Sequence, residues 1–423
     1  MILIYFIFIL VVIEIILVIT VRYFRHDFQW LITEQDEFPA LDQEGLVKFF
    51  KHGFDGTLGW VRKPNTAGGD KSKCGKTRFT IDSKGARTNS LMKQKDEVIA
   101  TFGDSYTFCR QVNDDETWQV HLSKMLGMQV SNYGVGNYGV DQALLRYEYS
   151  SLAPTIKVVI LGFVPETICR IQSYWKHYLE FGNTFAFKPR FILKENGLSL
   201  LPNVMQTQED FSKLPDKVTQ LRTKDEFYLS KFRSIQFRFP YTASFFRNFS
   251  RNRQLLNSLF IRRIYRALGK ATPEIENKPF SLIMKFNIQH AHEMYSSDKA
   301  TRLLRAILMR FKEKAEERGH KPVVMVMPQL IDLELISRGR YSYQQFFEDM
   351  KDEIDVIDLT ESILAHNPRG LYSEDVYGGH FSKDGNKLIA KVVFEELKSY
   401  SFTDIENKDI SQNPVLLKQS MEL

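Results

Sequence analysis

Short apolar runs alternate with amphipathic stretches over much of the chain. The first run, residues 98–102, is mostly apolar and partly β-branched, and the letters GDSYTFC follow it directly. Its length and composition predict a buried strand. Residues 114–127 then begin with aspartates and end at a glycine, which are the start and stop signals of a helix. The pattern therefore predicts a strand followed by a helix.

The same two patterns recur on both sides of a long interruption. The predicted strands lie at 98–102, 128–134, 156–163, 322–328 and 354–359, and the predicted helices at 114–127, 140–152, 298–319, 340–351 and 382–400. Repeated strand–helix units predict a parallel sheet covered by helices on both faces. Right-handed crossovers wind such a sheet into a flavodoxin-like three-layer α/β/α sandwich, which is the fold we expect here.

The chain opens with a long apolar stretch. Residues 1–21 are apolar except for Glu14 and Thr20, and a helix of this length spans roughly 30 Å of hydrocarbon. We interpret it as a transmembrane anchor rather than a cleaved signal peptide, because no basic segment precedes it and no small-residue cleavage site follows. Arg22 and Arg25 come directly after it. By the positive-inside rule they favour the cytoplasmic face for the rest of the chain.

The interruption, residues 171–295, has a different composition. Its segment 216–270 holds 13 basic and 3 acidic residues, a net charge of +10 against +6 for the whole chain. Phenylalanine and tyrosine are interleaved with these charges. One interpretation is an inserted helical cap whose aromatic residues pack on the sheet domain. The other is a basic-aromatic surface that binds anionic lipid or an anionic glycan. No recognition motif for nucleic acid accompanies the charge, so we expect no nucleic-acid partner.

Composition sets few further limits. With 423 residues and 43% hydrophobic content, the chain can bury a large core. The three cysteines are far apart and lack metal-site spacing, so they predict neither a disulfide framework nor a zinc site. The histidines His121, His290, His292 and His366 also lack metal spacing, and we assign them to structure or solvent. We therefore expect no metal and no cofactor.

Residues with catalytic chemistry stand where such a sheet carries its sites. Ser105 lies just past the carboxyl end of the first predicted strand, and open α/β sheets bind ligands at that edge. It is a candidate nucleophile. His380 precedes the last predicted helix and can act as general base, with Asp375 as the carboxylate that orients it. This set suits nucleophilic acyl transfer.

A glycine-rich turn, SNYGVGNYG, follows the second predicted strand. Such a turn exposes backbone N–H groups beside the loop of the first strand, which is where an oxyanion hole is needed. Asparagine tolerates positive φ nearly as glycine does. We therefore place the oxyanion donors among Asn132, Gly134, Gly136 and Asn137.

Four segments, taken in order, resemble one known family. They are LGWVRKPN with RFTIDSKGARTN, then FGDSYTFC, NYGVGNYGVDQALL and GGHFSKDGNKLIA. Together they resemble the SGNH (GDSL) hydrolase superfamily and its bacterial membrane-anchored members, over roughly residues 55–170 and 295–400. The resemblance implies that Ser105 is the nucleophile and first oxyanion donor. It places the second donor at Gly136 or Asn137 and the general base at His380.

The chain departs from the family pattern at two places. The third block of the family is usually Gly-x-Asn-Asp, but the corresponding strand end reads LGFVPETICR, with Glu166 about where the asparagine belongs. A carboxylate cannot donate to an oxyanion unless it is protonated, so one donor is missing; Glu166 could instead be a buried carboxylate or an ion-pair partner of Arg170. The usual Asp-x-x-His is also unmet, because Tyr377 stands three residues before His380. Asp375 reaches His380 only if the intervening loop bulges.

These observations favour a serine esterase or acyl (acetyl) transferase acting on an O-acylated carbohydrate or lipid-linked substrate at the membrane. The membrane contacts are expected through residues 1–21 and the insertion. The alternative is a non-catalytic binding module for anionic glycan or lipid with a degenerate oxyanion hole. The expected segments are an anchor (1–21), a lead-in (22–97), a first hydrolase part (98–170), the insertion (171–295), a second hydrolase part (296–400) and a tail (401–423).

Overall fold

The fold is taken from a computed structural model, and the description covers residues 1–24, 33–72, 75–92, 95–179, 182–374 and 379–399. The chain divides into two compact units. We call the first the helical unit, which comprises Met1–Val61 and Glu166–Ala306. We call the second the sheet unit, which comprises Arg62–Pro165 and Ile307–Leu423.

A five-stranded parallel sheet forms the centre of the sheet unit. Its spatial order is Asp355–Asp358, Lys321–Val326, Val158–Phe163, Glu97–Phe102, Gln129–Asn132. All six residues of the middle strand, Val158–Phe163, are buried, as expected for a sheet covered on both faces. Within this sheet, Glu97–Phe102 is the first strand along the chain, and Gln129–Asn132 is added beside it at one edge. The remaining three strands are then added in order on its other side. This order is flavodoxin-like, so the predicted fold class is confirmed.

Helices cover both faces of this sheet. The helices with residues in the sheet unit are Ser105–Phe108, Trp118–Leu126, Val140–Tyr149, Asp298–Glu317, Leu330–Ile336, Gln344–Met350, Thr360–Leu364 and Lys383–Ser399. On one face, Trp118 and Leu122 join Val393 in a core with sheet residues. On the other, the Tyr147 ring packs 5.4 Å from that of Phe102 in the sheet and 5.6 Å from that of Phe311. Helix Leu330–Ile336 was not predicted from the sequence.

The first predicted helix begins later than its aspartates suggest. Asp114–Glu116 forms a short 3-10 turn, and Thr117 caps the helix by accepting a hydrogen bond from the Val120 N–H. The helix ends as predicted at Gly127, which adopts a left-handed conformation with φ of 68°. Glycine suits this position because it has no Cβ to clash.

The range of the helical unit includes the whole predicted insertion, residues 171–295. Its helices are Ile2–Phe24, Gln43–His52, Lys176–Leu179, Gln208–Ser212, Leu214–Arg222, Arg233–Ile235, Tyr241–Arg247, Phe249–Ala267 and Pro273–Met294. The unit also has two small antiparallel hairpins, Phe54–Asp55 with Gly59–Trp60 and Arg190–Lys194 with Gly197–Leu201. The second hairpin interrupts a region that the sequence predicted as helical. Ile2–Tyr23 is long and apolar enough to cross a membrane, with a mean hydropathy of 3.4.

Candidate active site

Ser105 stands on a tight turn at the end of the strand Glu97–Phe102. Gly103 permits this turn, because a Cβ there would lie 2.0 Å from Thr107 Oγ1 and 2.8 Å from the Gly162 carbonyl oxygen. The Asp104 carboxylate accepts a hydrogen bond of 2.9 Å from the Tyr106 N–H and so caps the short helix Ser105–Phe108. Ser105 is therefore the first helical residue, and it is held at the point where the strand order of the sheet reverses.

The glycine-rich turn lies against this nucleophile turn. The Tyr133 N–H donates to the Thr101 carbonyl over 2.8 Å, and the Val135 N–H donates to the Gly103 carbonyl over 3.0 Å. Gly134 is pressed so closely on the short helix that a Cβ would lie 2.4 Å from the Phe108 nitrogen. The structure thus brings together the two segments in which the sequence placed nucleophile and oxyanion donors.

The four predicted oxyanion candidates differ in role. Asn132 is buried, and its Oδ1 accepts from the Gly134 N–H over 3.0 Å, so these two residues shape the turn. Gly136 and Asn137 are half-buried. Asn137 has a φ of 71°, the left-handed conformation that asparagine tolerates. Gly136 and Asn137 therefore remain the candidates for the second donor.

The loop of His380 contacts the residue that follows the serine. The Tyr106 hydroxyl donates to the Gly379 carbonyl over 2.7 Å. The Tyr106 ring lies 5.0 Å from the His380 ring and 4.9 Å from the Phe381 ring, measured between ring centres. Two positions separated by 275 residues in sequence, Ser105 and His380, are thus carried by segments in direct contact.

Gln111 holds the imidazole of His380. Its Oε1 lies 2.8 Å from His380 Nδ1. The amide orientation is set from its other end, because Gln111 Nε2 donates to the Lys71 carbonyl at 3.2 Å and to Glu374 Oε1 at 3.1 Å. An amide oxygen can only accept, so Nδ1 carries the proton in this bond. The other ring nitrogen, Nε2, is then left with the lone pair that a general base requires.

The backbone around Gln111 is itself fixed. Gln111 adopts a left-handed conformation with φ of 68°. The buried Arg87 donates to the carbonyls of Phe108 at 2.8 Å, Cys109 at 2.6 Å and Val112 at 2.7 Å, and so clamps the loop on both sides of Gln111. Arg87 belongs to the segment that resembled the family lead-in, and it connects that segment to the site.

Sequence reasoning missed Gln111. It lies 269 residues from His380, and no motif marks it. The carboxylate that the sequence assigned to this role, Asp375, lies outside the described residues, as does Tyr377. Its neighbour Glu374 contacts the amide of Gln111. Asp375 therefore stays a prediction, whereas the contact of Gln111 with the imidazole is observed.

Positive charge gathers beside the glycine-rich turn. Arg110 binds Asp70 through Nε at 3.1 Å and Nη2 at 2.5 Å. Burial alone would raise the pKa of Asp70, but the hydrogen bond and charge of Arg110, with smaller contributions from His380 and Arg62, hold it below its ordinary value. Asp70 thus stays ionised and compensates Arg110.

Arg62 is compensated less directly, through the nearby charge of Asp70. Its guanidinium lies 4.8 Å from the ring centres of both Phe79 and Phe108, and its buried Nε finds no hydrogen-bond acceptor among the described residues. Burial and the nearby charge of Arg110 lower the pKa of Arg62. A Cβ on Gly136 would lie 3.8 Å from Arg62 Nη2, so this cation borders the candidate oxyanion turn.

Glu166 forms a buried ion pair in the helical unit. Its Oε2 lies 3.3 Å from Nη2 of Arg170, and both side chains are less than a tenth exposed. Of the roles that the sequence left open for Glu166, this contact supports the ion pair with Arg170. A carboxylate held this way offers no N–H to an oxyanion.

Two solved structures resemble this chain weakly. No family model matches the chain, and no curated protein matches it. Among solved structures, a protein assigned to the G-D-S-L family of lipolytic proteins from Desulfitobacterium hafniense DCB-2 is similar at 14% identity and a TM-score of 0.31, over 71% of this chain and 99% of that chain. A second solved structure is similar at 15% identity and a TM-score of 0.31, over 72% of this chain and 97% of that chain. Both TM-scores are below 0.5, so neither similarity carries an inference about function.

Proposed function

We propose that the protein is a serine esterase or acyl transferase of the SGNH (GDSL) type that acts at a membrane. The observation that carries this proposal is the fixed tautomer of His380. Gln111 Oε1 accepts from Nδ1 at 2.8 Å, which leaves Nε2 as a base on a loop that touches the nucleophile turn. An imidazole prepared in this way beside a strand-end serine suits nucleophilic acyl transfer.

The reaction proceeds in two steps. Ser105 Oγ attacks the ester carbonyl while its proton passes to His380 Nε2. The N–H groups of Ser105 and of Gly136 or Asn137 stabilise the oxyanion. Nε2 then returns the proton to the departing alcohol and leaves an acyl-Ser105 ester. Water or a sugar hydroxyl gives its proton to Nε2 and attacks this ester; the acyl–Oγ bond breaks, and Nε2 returns the proton to Ser105 Oγ. The product is that of hydrolysis with water and of acyl transfer with the sugar hydroxyl. The predicted Asp375 would add its charge to this arrangement, and no metal or cofactor takes part.

The substrate class follows from the resemblance and the location. An O-acylated carbohydrate or a lipid-linked substrate fits an enzyme held at a membrane by the apolar helix Ile2–Phe24. The cations Arg22 and Arg25 favour the cytoplasmic face.

The second candidate function is a non-catalytic binding module of the same fold. It is favoured by the ion pair of Glu166 with Arg170, because the family's third oxyanion donor is then absent. Losing one donor commonly costs about 10²–10³ in turnover. On this view the basic-aromatic insertion binds an anionic glycan or lipid.

A fluorophosphonate probe separates the two functions. The full chain in detergent is treated at neutral pH, and the modified residue is located by mass spectrometry. We expect labelling at Ser105 that is lost in Ser105→Ala and strongly slowed in His380→Ala. The exposed Ser337 provides a matched control, and Ser337→Ala should label as wild type does. Folded protein that resists the probe would overturn the enzyme proposal and leave the binding module.

A further inference from the structure

A carboxylate lies in the middle of the apolar helix Ile2–Phe24. Glu14 is 12 residues from Ile2 and 10 from Phe24, or about 18 Å and 15 Å along the helix axis. If the helix spans a membrane, this position is near the centre of the hydrocarbon. An ionisable side chain there is costly unless a partner satisfies it.

The partner is the start of another helix. Glu14 Oε1 accepts from the Tyr241 N–H at 2.6 Å, and Oε2 accepts from the Thr242 N–H at 2.7 Å. The Thr242 hydroxyl also donates to Oε2. These N–H groups open the helix Tyr241–Arg247, where the first backbone donors have no partner within the helix. Glu14 therefore caps this helix from outside, and its negative charge faces the positive end of the helix dipole.

Apolar side chains on both sides of Glu14 add to the contact between the apolar helix and helix Tyr241–Arg247. Leu17 and Val21 of the apolar helix are buried against Phe237, and Ile13, Tyr241 and Phe245 pack around them. A second contact lies near Tyr23, about 13 Å further along the same helix. There the guanidinium of Arg263, in helix Phe249–Ala267, lies 4.0 Å from the centre of the Tyr23 ring. Two successive helices of the insertion thus meet the apolar helix at two depths.

The same segment exposes an unusual amount of apolar surface. Outside the apolar helix, fifteen large hydrophobic side chains are exposed in the described residues, and eight of them fall within residues 239–268. These are Phe239, Phe246, Phe249, Phe260, Ile261, Ile264, Tyr265 and Leu268, each 40–69% exposed. Scattered exposed hydrophobic residues need no explanation, but a concentration of this kind marks a surface that something covers.

We propose that residues 239–268 are embedded in the membrane beside the apolar helix, with lipid acyl chains covering their apolar face. Lipid is the occupant because this segment is joined to the apolar helix, whose own exposed side chains need the same covering. The bonds from Glu14 place the start of helix Tyr241–Arg247 level with the middle of a helix whose own side chains are exposed and apolar. Helix Phe249–Ala267 then runs to the level of Tyr23, where its arginines can reach lipid phosphates. Mutual satisfaction of Glu14 and the helix N–H groups lowers the cost of placing these particular groups in hydrocarbon.

This inference does not depend on the proposed ester chemistry. It adds to the single apolar helix a second membrane contact built from the middle of the chain. It also assigns Glu14 a structural role that the apolar pattern of residues 1–21 could not reveal.

Nitroxide depth measurements test the proposal on the full chain. Spin labels are placed singly at Phe246→Cys, at Val11→Cys in the apolar helix, and at the exposed Val47→Cys in helix Gln43–His52, all in a Cys74→Ser background. The protein is reconstituted in vesicles of phosphatidylcholine and phosphatidylglycerol. The label at position 246 should collide readily with oxygen and lose collisions with a water-soluble nickel chelate, as the label at position 11 does. If the label at position 246 instead collides readily with the nickel chelate, as the label at position 47 does, the proposal is wrong.

Dilution and a cap variant sharpen the test. If the protection at position 246 disappears when the lipid-to-protein ratio is raised, a second copy of the chain covers the surface and the proposal is wrong. In Glu14→Ala the label at 246 should shift toward the nickel chelate, because both oxygen acceptors are lost. Thr20→Ala is the matched control, since its hydroxyl donates to the Ile16 carbonyl in its own helix, and it should change nothing. An unchanged label in Glu14→Ala would refute the capping role of Glu14.

Discussion

Replacing Gln111 by alanine tests the feature on which the proposed mechanism rests. Gln111 Oε1 accepts three hydrogen bonds, from Ser373 Oγ at 2.7 Å, from His380 Nδ1 at 2.8 Å and from the His380 N–H at 3.2 Å. The bond to Nδ1 changes most during catalysis, because His380 becomes a cation when it takes the serine proton. A hydrogen bond to a charged group is worth about 1.5–3 kcal/mol. Gln111→Ala should therefore lower kcat/KM about 10- to 100-fold, at 1.36 kcal/mol for each factor of ten.

The assay is hydrolysis of a chromogenic acetyl ester by the full chain in detergent, with thermal unfolding measured in parallel. Gln345→Ala is the matched control, because Gln345 is exposed and its amide donates to the side chain of Asp349, one turn further along the same helix. The control should keep both activity and stability. If Gln111→Ala stays within about twofold of wild type, Gln111 does not position His380, and the orienting role returns to the predicted Asp375.

Moving the carboxylate from position 374 to position 111 complements the alanine experiment, because it should strengthen the contact with His380 instead of removing it. The double variant Gln111→Glu with Glu374→Gln places a carboxylate on Nδ1 and keeps the neighbouring side chain neutral, so the two do not repel. A carboxylate next to an imidazole stabilises the protonated ring, and an opposite charge at this distance changes a pKa by about 1–3. We expect activity above that of Gln111→Ala and an acid limb of the pH–rate profile displaced to higher pH. An acid limb that does not move would contradict direct contact between residue 111 and the imidazole.

Three further predictions concern the site and its surroundings. Ser105→Ala and His380→Ala should each abolish ester hydrolysis and change the melting temperature by no more than about two degrees, because neither is an apolar core side chain; retained activity in either would dismiss the assignment. Glu166→Asn, which an oxyanion role would make more active, should instead lower the unfolding free energy by about 3–5 kcal/mol by leaving Arg170 buried without its carboxylate, and unfolding in urea identical to wild type would argue against the ion pair. Inorganic phosphate should inhibit the wild type competitively and Arg62→Gln more weakly, since this guanidinium borders the oxyanion turn and its buried Nε has no hydrogen-bond acceptor among the described residues; equal inhibition of both would show that Arg62 binds no anion.

The sequence by itself was sufficient for features that depend on local pattern. The strand at 98–102, the glycine stop at Gly127 and the parallel strand–helix repeat all follow from the spacing of apolar residues and from turn chemistry, and the structure has them. The nucleophile candidate Ser105 was found in the same way, because a serine beyond a buried strand is a local signal. The secondary structure of the insertion was harder to predict from the sequence. The hairpin Arg190–Lys194 with Gly197–Leu201 was missed, because exposed hairpins have weak periodicity.

Only the tertiary structure decided which distant polar groups satisfy one another. Gln111 meets His380 across 269 residues, and Glu14 meets Tyr241 across 227. Neither contact produces a periodic pattern in the sequence, because a hydrogen bond requires two atoms at about 3 Å and places no constraint on the residues between them. Where water is excluded from such a contact, the partner becomes obligatory, since an unsatisfied polar group in a dry environment costs more than the bond yields in water. Chain topology thus converts an ordinary glutamine into the acceptor for His380 and an isolated glutamate into a helix cap.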